Sequence, residues 1–164
     1  MQVFGFAGWS GSGKTTLIER LVPRLVDGGL RVALVKHAHH AFEIDQPGKD
    51  SFRHREAGCQ EVLVTSAKRW AIIHELRGEA ELSLDQALAR VSPCDLVLVE
   101  GFKHAVIPKL EVFRPSLGKP LLHPGDRSIA GLVTDGSVST GLPRFAFEDL
   151  EAIAAFVRTR AEAR

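Results

Sequence analysis

The sequence predicts an α/β fold, a three-layer arrangement in which a mostly parallel central sheet carries helices on both faces. Two observations point there. Apolar runs of strand length alternate with longer segments of helical period, as in strand–helix–strand units rather than all-β barrels. The stretch Asp95 to Glu100, DLVLVE, has an apolar core without alternation, the pattern of a parallel strand covered on both sides.

The elements follow in order. Val3 to Ala7 reads as a strand. Thr15 to Val26 reads as a helix with Leu17, Leu21 and Leu25 one turn apart, kinked or broken at Pro23 and ended by Gly28 and Gly29. Arg31 to Lys36 is a second strand, Asp50 to Ala57 a helix stopped by Gly58, and Glu61 to Ser66 and Trp70 to Glu75 two further strands. Leu82 to Val91 is a helix opened near Ser83, followed by the strand ending at Glu100. Lys109 to Arg114 and Ser128 to Thr134 complete the strands, and Phe147 to Ala163 is a terminal helix. Segments 101–108 and 115–127, rich in Pro, Gly and His, are loops, at least one long enough to be functional.

The 164 residues suit one domain spanning 1–164, large enough to bury about two-thirds of its unfolded surface. Charged residues make up 25% of the chain and the formal net charge is +1, with acids and bases interspersed. A nucleic-acid partner is therefore not expected. Cys59 and Cys94 stand far apart and read as small core residues. MQVFGFAG lacks the basic and long apolar regions of a signal peptide, and no apolar run approaches a membrane span. The expectation is a cytoplasmic protein with no membrane partner.

Residues 8–15, GWSGSGKT, fit the phosphate-loop (Walker A) pattern G-x-x-x-x-G-K-[ST], between an apolar strand and an amphipathic helix. Backbone N–H groups of Gly11, Ser12, Gly13, Lys14, Thr15 and Thr16 then face a nucleotide's phosphates, with glycines allowing close approach. Lys14 reaches the β- and γ-phosphates and serves catalysis, while the Thr15 hydroxyl binds Mg²⁺. A P-loop needs a second carboxylate at a neighbouring strand end, and LVLVEG supplies Glu100 where most such proteins carry Asp. Asp135, in GLVTD after a late strand, is placed to accept hydrogen bonds from guanine, although the Asn/Thr-Lys-x-Asp pattern of common GTPases is missing; a plain Asp-Gly turn is the alternative.

GWSGSGKTTL, VKHAHH, DQPGKDSFRHREAG and LVLVEGFK, in this order over roughly residues 3 to 135, resemble the molybdopterin-guanine dinucleotide biosynthesis adapter (MobB) family of P-loop NTPases. The VEG strand end is also similar to dethiobiotin synthetase and its relatives. Many of those carry a lysine just after the first P-loop glycine; Trp9 holds that place here, so their trans-acting lysine mechanism is not carried over. The resemblance implies GTP as ligand with Mg²⁺, at most slow hydrolysis, a homodimer, and support of the guanylyltransferase MobA in attaching GMP to molybdopterin.

The stretch KHAHHAFEIDQPGKDSFRH, residues 36–54, matches a zinc site in composition through His37, His39 and His40. A closed zinc site wants four ligands, and only Cys59, behind a helix, is left to join them. Position argues instead for a switch-like loop, because it leaves the carboxyl ends of the strands, where ligands gather in doubly wound sheets. Asp45 is the candidate to orient attacking water, or to hold a water on Mg²⁺. Lys49 and Arg53 would neutralise phosphate or a molybdopterin-type anionic ligand, and Lys103 would complete that pocket. Asp50 and Ser51 suit helix capping, and the histidines could bind an anionic ligand or a partner. Two other functions stay open. One is a small-molecule kinase or ATP-dependent ligase, for which Arg114 and Arg127 are a poor lid pair; the other is a metal-delivery GTPase using the His37–His40 loop.

Overall fold

The computed structural model describes residues 1–38 and 42–164. They form two compact units, Met1–His37 with Leu84–Arg164, and Ala38–Ser83.

In the first unit, β1 (Gln2–Ala7) leads through the phosphate loop into α1 (Lys14–Asp27), then β2 (Val32–Lys36). The second unit holds α2 (Asp50–Glu56), β3 (Glu61–Thr65) and β4 (Trp70–His74). The chain returns through α3 (Leu84–Leu88), β5 (Leu96–Glu100), β6 (Lys109–Phe113), β7 (Ile129–Thr134), β8 (Arg144–Phe145), α4 (Leu150–Arg160) and β9 (Glu162–Ala163). Seven strands make the central sheet, in the order β2-β5-β1-β6-β7-β8, with β9 on β1. Every pairing is parallel except that of β9, where Gln2 faces Ala163 and Val3 faces Glu162.

The central strands bury both faces, as the unbroken apolar run of β5 requires. Phe4, Phe6, Leu96, Leu98 and Leu110 pack against Leu17, Leu21 and Leu25 of α1 and Ile153 and Val157 of α4. Val3, Val97 and Val99 face the other way, onto Leu84 and Leu88 of α3 and Ile107. On that second face β6 points two charged residues inward, Lys109 and Glu111, both essentially inaccessible. Loops rather than a helix meet β6 there, and their backbone groups need polar partners.

Several expectations shift at this level. The strands at 61–66 and 70–75 are present, but they pair only with each other as a two-stranded antiparallel sheet. α1 runs unbroken through Pro23 to Asp27. The terminal helix stops at Arg160, because Glu162 and Ala163 turn back to pair with β1. Two short strands, β8 and β9, carry too few residues to show a period. Cys59 is exposed at the exit of α2, and only Cys94 is partly buried, so the reading of both as core residues fails for Cys59. Its place after the helix stop, and not its residue type, decides its exposure.

Candidate functional site

The phosphate loop turns on glycines that no other residue replaces easily. A Cβ on Gly8 would sit 2.4 Å from the Val112 carbonyl oxygen. Gly13 has φ of 93° and caps the N-terminus of α1, so the first turn of the helix opens toward the loop. Lys14 Nζ donates to the carbonyl oxygens of Gly8 and Trp9, both at 3.0 Å. The lysine is thus folded over its own loop. Burial holds its ammonium below the ordinary value; Glu100 opposes that shift, while Lys103 and Lys36 add to it.

Parallel register sets Phe6 beside Glu100, at the strand ends from which the loop departs. There the Thr15 hydroxyl donates to Glu100 Oε1 at 2.8 Å. The same carboxylate lies 3.5 Å from Lys36 Nζ, on the other neighbouring strand. Glu100 is buried, so it is well aimed despite its longer side chain. A hydroxyl and a buried carboxylate, both oxygen donors, form the kind of pair that a hard divalent cation takes together with phosphate oxygens. These residues fit Mg²⁺.

On the opposite side of the loop stands Arg114, at the end of β6. Its Nε donates to the Ser12 carbonyl at 3.1 Å, its Nη1 pairs with Asp135, and its guanidinium lies 4.2 Å from the Phe147 ring centre. The Asp135 carboxylate, expected to read guanine, is therefore engaged with an arginine that itself holds the phosphate loop.

Two loops approach the front of the phosphate loop. Lys103 Nζ lies 5.0 Å and Lys119 Nζ 5.8 Å from the Trp9 ring centre, and Trp9 Nε1 donates to Pro120 O at 2.7 Å. Behind them, Lys109 Nζ donates to the carbonyls of Lys103 and Ala105 and to Asp126. Glu111 accepts from the backbone N–H groups of Leu122 and His123. His37, whose N–H donates to Glu100 O at 2.8 Å, places its ring 5.0 Å from Phe102. Gly101 allows this approach: its φ is 98°, and a Cβ there would lie 2.8 Å from His37 Cβ. His39 and His40 lie outside the described residues.

In the second unit Asp45 accepts from Ser51 Oγ at 2.7 Å, Gln46 N at 3.1 Å and Arg55 Nε at 3.3 Å. Ser51's hydroxyl, before the other partners, holds the Asp45 carboxyl below its ordinary value, against a smaller desolvation effect. Arg55, buried, also pairs with Glu43 and Glu75, which raises its already high value. Asp45 is thus one ligand of an arginine hub. Ser51 does not cap α2: the cap position is Lys49, with no side-chain cap bond. Lys49 and Arg53 are exposed on this unit. Among the described residues no group of three His, Cys, Asp or Glu is arranged to hold a metal ion.

Sequence reading missed Arg55, Lys109, Glu111 and the role of Arg114. For the β6 pair a signal existed. Lys109 and Glu111 alternate with Leu110 and Val112 inside a strand, and a central strand with charges at period two must pair them on one face.

A phosphate loop between β1 and α1, with a strand-end carboxylate on its hydroxyl and a parallel sheet behind it, defines a protein of the P-loop NTPase class. Residues 3–135 match the family described as MobB, molybdopterin guanine dinucleotide synthesis protein B. The molybdopterin-guanine dinucleotide biosynthesis adapter protein of Escherichia coli (strain K12) is 40% identical over 158 residues, covering 94% of this chain and 90% of that protein. The protein of the same description from Haemophilus influenzae is 46% identical over 120 residues, covering 73% and 67%. A crystal structure of molybdopterin-guanine biosynthesis protein B superposes with a TM-score of 0.74 at 31% identity, covering 96% of this chain and 98% of that one. The chain belongs to the MobB family.

Proposed function

We propose that this chain is a GTP-binding adapter protein in molybdopterin guanine dinucleotide synthesis, with slow hydrolysis at most, assisting the guanylyltransferase MobA in the cytoplasm. The adapter role rests on the family. The observation that carries nucleotide binding is the Thr15–Glu100 hydrogen bond beside Lys14, which supports a Mg²⁺-bound triphosphate at this loop. Bound there, Mg²⁺ would neutralise phosphate charge. Lys14 exchanges its two carbonyl partners for phosphate oxygens, Glu100 orients the Thr15 hydroxyl, and Arg114 keeps the loop's backbone in place. Asp135 serves the nucleotide from the end of β7 through Arg114.

A kinase reading has less support, since Arg114 is occupied beneath the loop rather than free as a lid residue. A homodimer is supported by the two-stranded sheet of the second unit. Leu63, Ile72 and Trp70 share one of its faces and are exposed, and an isolated pair of strands is marginal alone.

The test is calorimetry with GTP and ATP, with and without Mg²⁺, on the wild-type chain and on Lys14→Ala. Loss of GTP binding in a variant with unchanged thermal stability is expected. Unchanged affinity removes the phosphate loop from the reading.

A further inference from the structure

Lys109 and Glu111 are costly residues. An ammonium and a carboxylate taken fully out of water need complete hydrogen bonding to be tolerated, and a sheet position two residues along could hold Leu or Val. What the two charges achieve is specific. Lys109, at 1% exposure, ties down the carbonyls of Lys103 and Ala105, with donor–acceptor distances of 2.9 Å to each. Glu111, at 0%, ties down the N–H groups of Leu122 and His123 at 2.7 and 2.9 Å. One strand therefore fixes two loops.

Each of these loops delivers one ammonium to the same ring, Lys103 from one and Lys119 from the other, and the second loop also takes the Trp9 indole N–H. Among the described residues neither ammonium has a carboxylate partner. The Trp9 ring attracts each ammonium, but it leaves both positive charges without a counter-charge, and an anion placed beside the ring would supply one. Trp9 is the second residue of the phosphate loop, so the anion would lie next to the loop. The effect of the Lys103 charge on Lys14 agrees with that proximity.

We propose that Lys103 and Lys119, held over Trp9, form an anion subsite beside the phosphate loop that takes one dianionic phosphate group. The phosphate belongs either to the end of the bound nucleotide or to a separate phosphate monoester. The inference rests on the nucleotide reading above only for what occupies the neighbouring loop.

The chain has two tryptophans, so Trp70→Phe leaves Trp9 as the sole indole reporter. In that full-length background, inorganic phosphate is titrated with Mg²⁺ and saturating GDP, and again with a saturating non-hydrolysable GTP analogue, while Trp9 emission is followed. A saturable change is expected whose midpoint rises at least about tenfold in Lys103→Gln/Lys119→Gln. A response with GDP alone assigns the subsite to the nucleotide's terminal phosphate. A response that persists with the GTP analogue assigns it to a separate monoester. No response in the Trp70→Phe protein, or a midpoint unchanged by the double substitution, overturns the proposal. If GDP fails to bind by calorimetry while the phosphate response still depends on both lysines, the subsite stands and the nucleotide reading falls. Both substituted lysines lie outside the core, and an unchanged denaturation midpoint confirms that the variant is folded.

Discussion

Replacing Lys109 with Met keeps most of the side chain's volume and removes only the buried ammonium. The wild-type group makes three hydrogen bonds, two to carbonyls at 2.9 Å and one to Asp126 at 2.6 Å. Deleting one member of a buried ion pair costs about 3–5 kcal/mol. Asp126 is 29% exposed and keeps its bonds from Ser128 N and Oγ, so water can rescue it and the lower end applies, ~3 kcal/mol. For a chain of this size that corresponds to roughly 6–12 °C in Tm. Urea denaturation followed by circular dichroism should show a lower midpoint at unchanged slope. A second substitution, Asp126→Leu, should recover only part of the loss, because the carbonyls of Lys103 and Ala105 stay without their donor. The acid limb of stability should flatten as well. Desolvation raises the Asp126 carboxyl, but the bonds from Lys109 and Ser128 outweigh it and leave the value below 3.8. Its contribution is present above that value and is lost as pH falls through the folded pKa. A loss below about 1 kcal/mol would refute the view that Lys109 anchors the 103–105 loop.

Asp135→Asn should weaken GTP and ATP binding by the same factor, and Arg114→Lys should do so by about tenfold, because both release the Ser12 carbonyl; a loss confined to GTP in calorimetry would make Asp135 a reader of guanine. Asp45→Asn should raise hydrogen exchange in α2, and in the wild type the Asp45 contribution should hold above the ordinary carboxylate range and fade as pH drops through its lowered pKa; loss of GTP turnover with unchanged exchange would assign Asp45 to catalysis instead. The His74 imidazole bridges Glu61 and Glu79, and Glu61, then Glu79, raises it above 6.5. Its stabilising contribution is complete below 6.5 and disappears as pH rises through the raised value. An NMR titration of His74 at or below 6.5, or one unmoved by Glu61→Gln, would contradict the bridge.

Much of the phosphate end was legible because its chemistry is local. GWSGSGKT needs its glycines and lysine in fixed order, and LVLVE declares a doubly covered strand that must end near the loop. Thr15 and Glu100 are 85 residues apart, yet a parallel sheet leaves little freedom in where a strand-end carboxylate falls. The Arg55 hub was not legible. Its carboxylates come from Glu43, Asp45 and Glu75, and no local pattern says which of several acids will converge on a buried guanidinium. The same limit applies to Arg114, whose partners Ser12 and Asp135 lie on separate strands' loops. Length set the other limit. β8 and β9 are two residues each, shorter than any periodicity, and they exist because a neighbouring strand already offers its edge.

The charge balance around the phosphate loop argues for a polyanionic occupant independently of any motif. Lys14, Lys36, Lys103 and Lys119 come from the loop itself, β2, and the two loops anchored by β6, and Glu100 is the carboxylate that meets Lys36. Lys14 responds to the crowding, its ammonium held down by burial and by two of the other lysines despite Glu100. An arrangement with excess like charge is destabilising unless a ligand neutralises it, and mass action then returns that stability on binding. Arg114 does not share in the excess, because Asp135 neutralises it. Its place on the far side of the loop, bonded to the Ser12 carbonyl and Asp135, separates two tasks in the proposed reading: the lysines would attract phosphate, while Arg114 and Asp135 hold the backbone that would receive it.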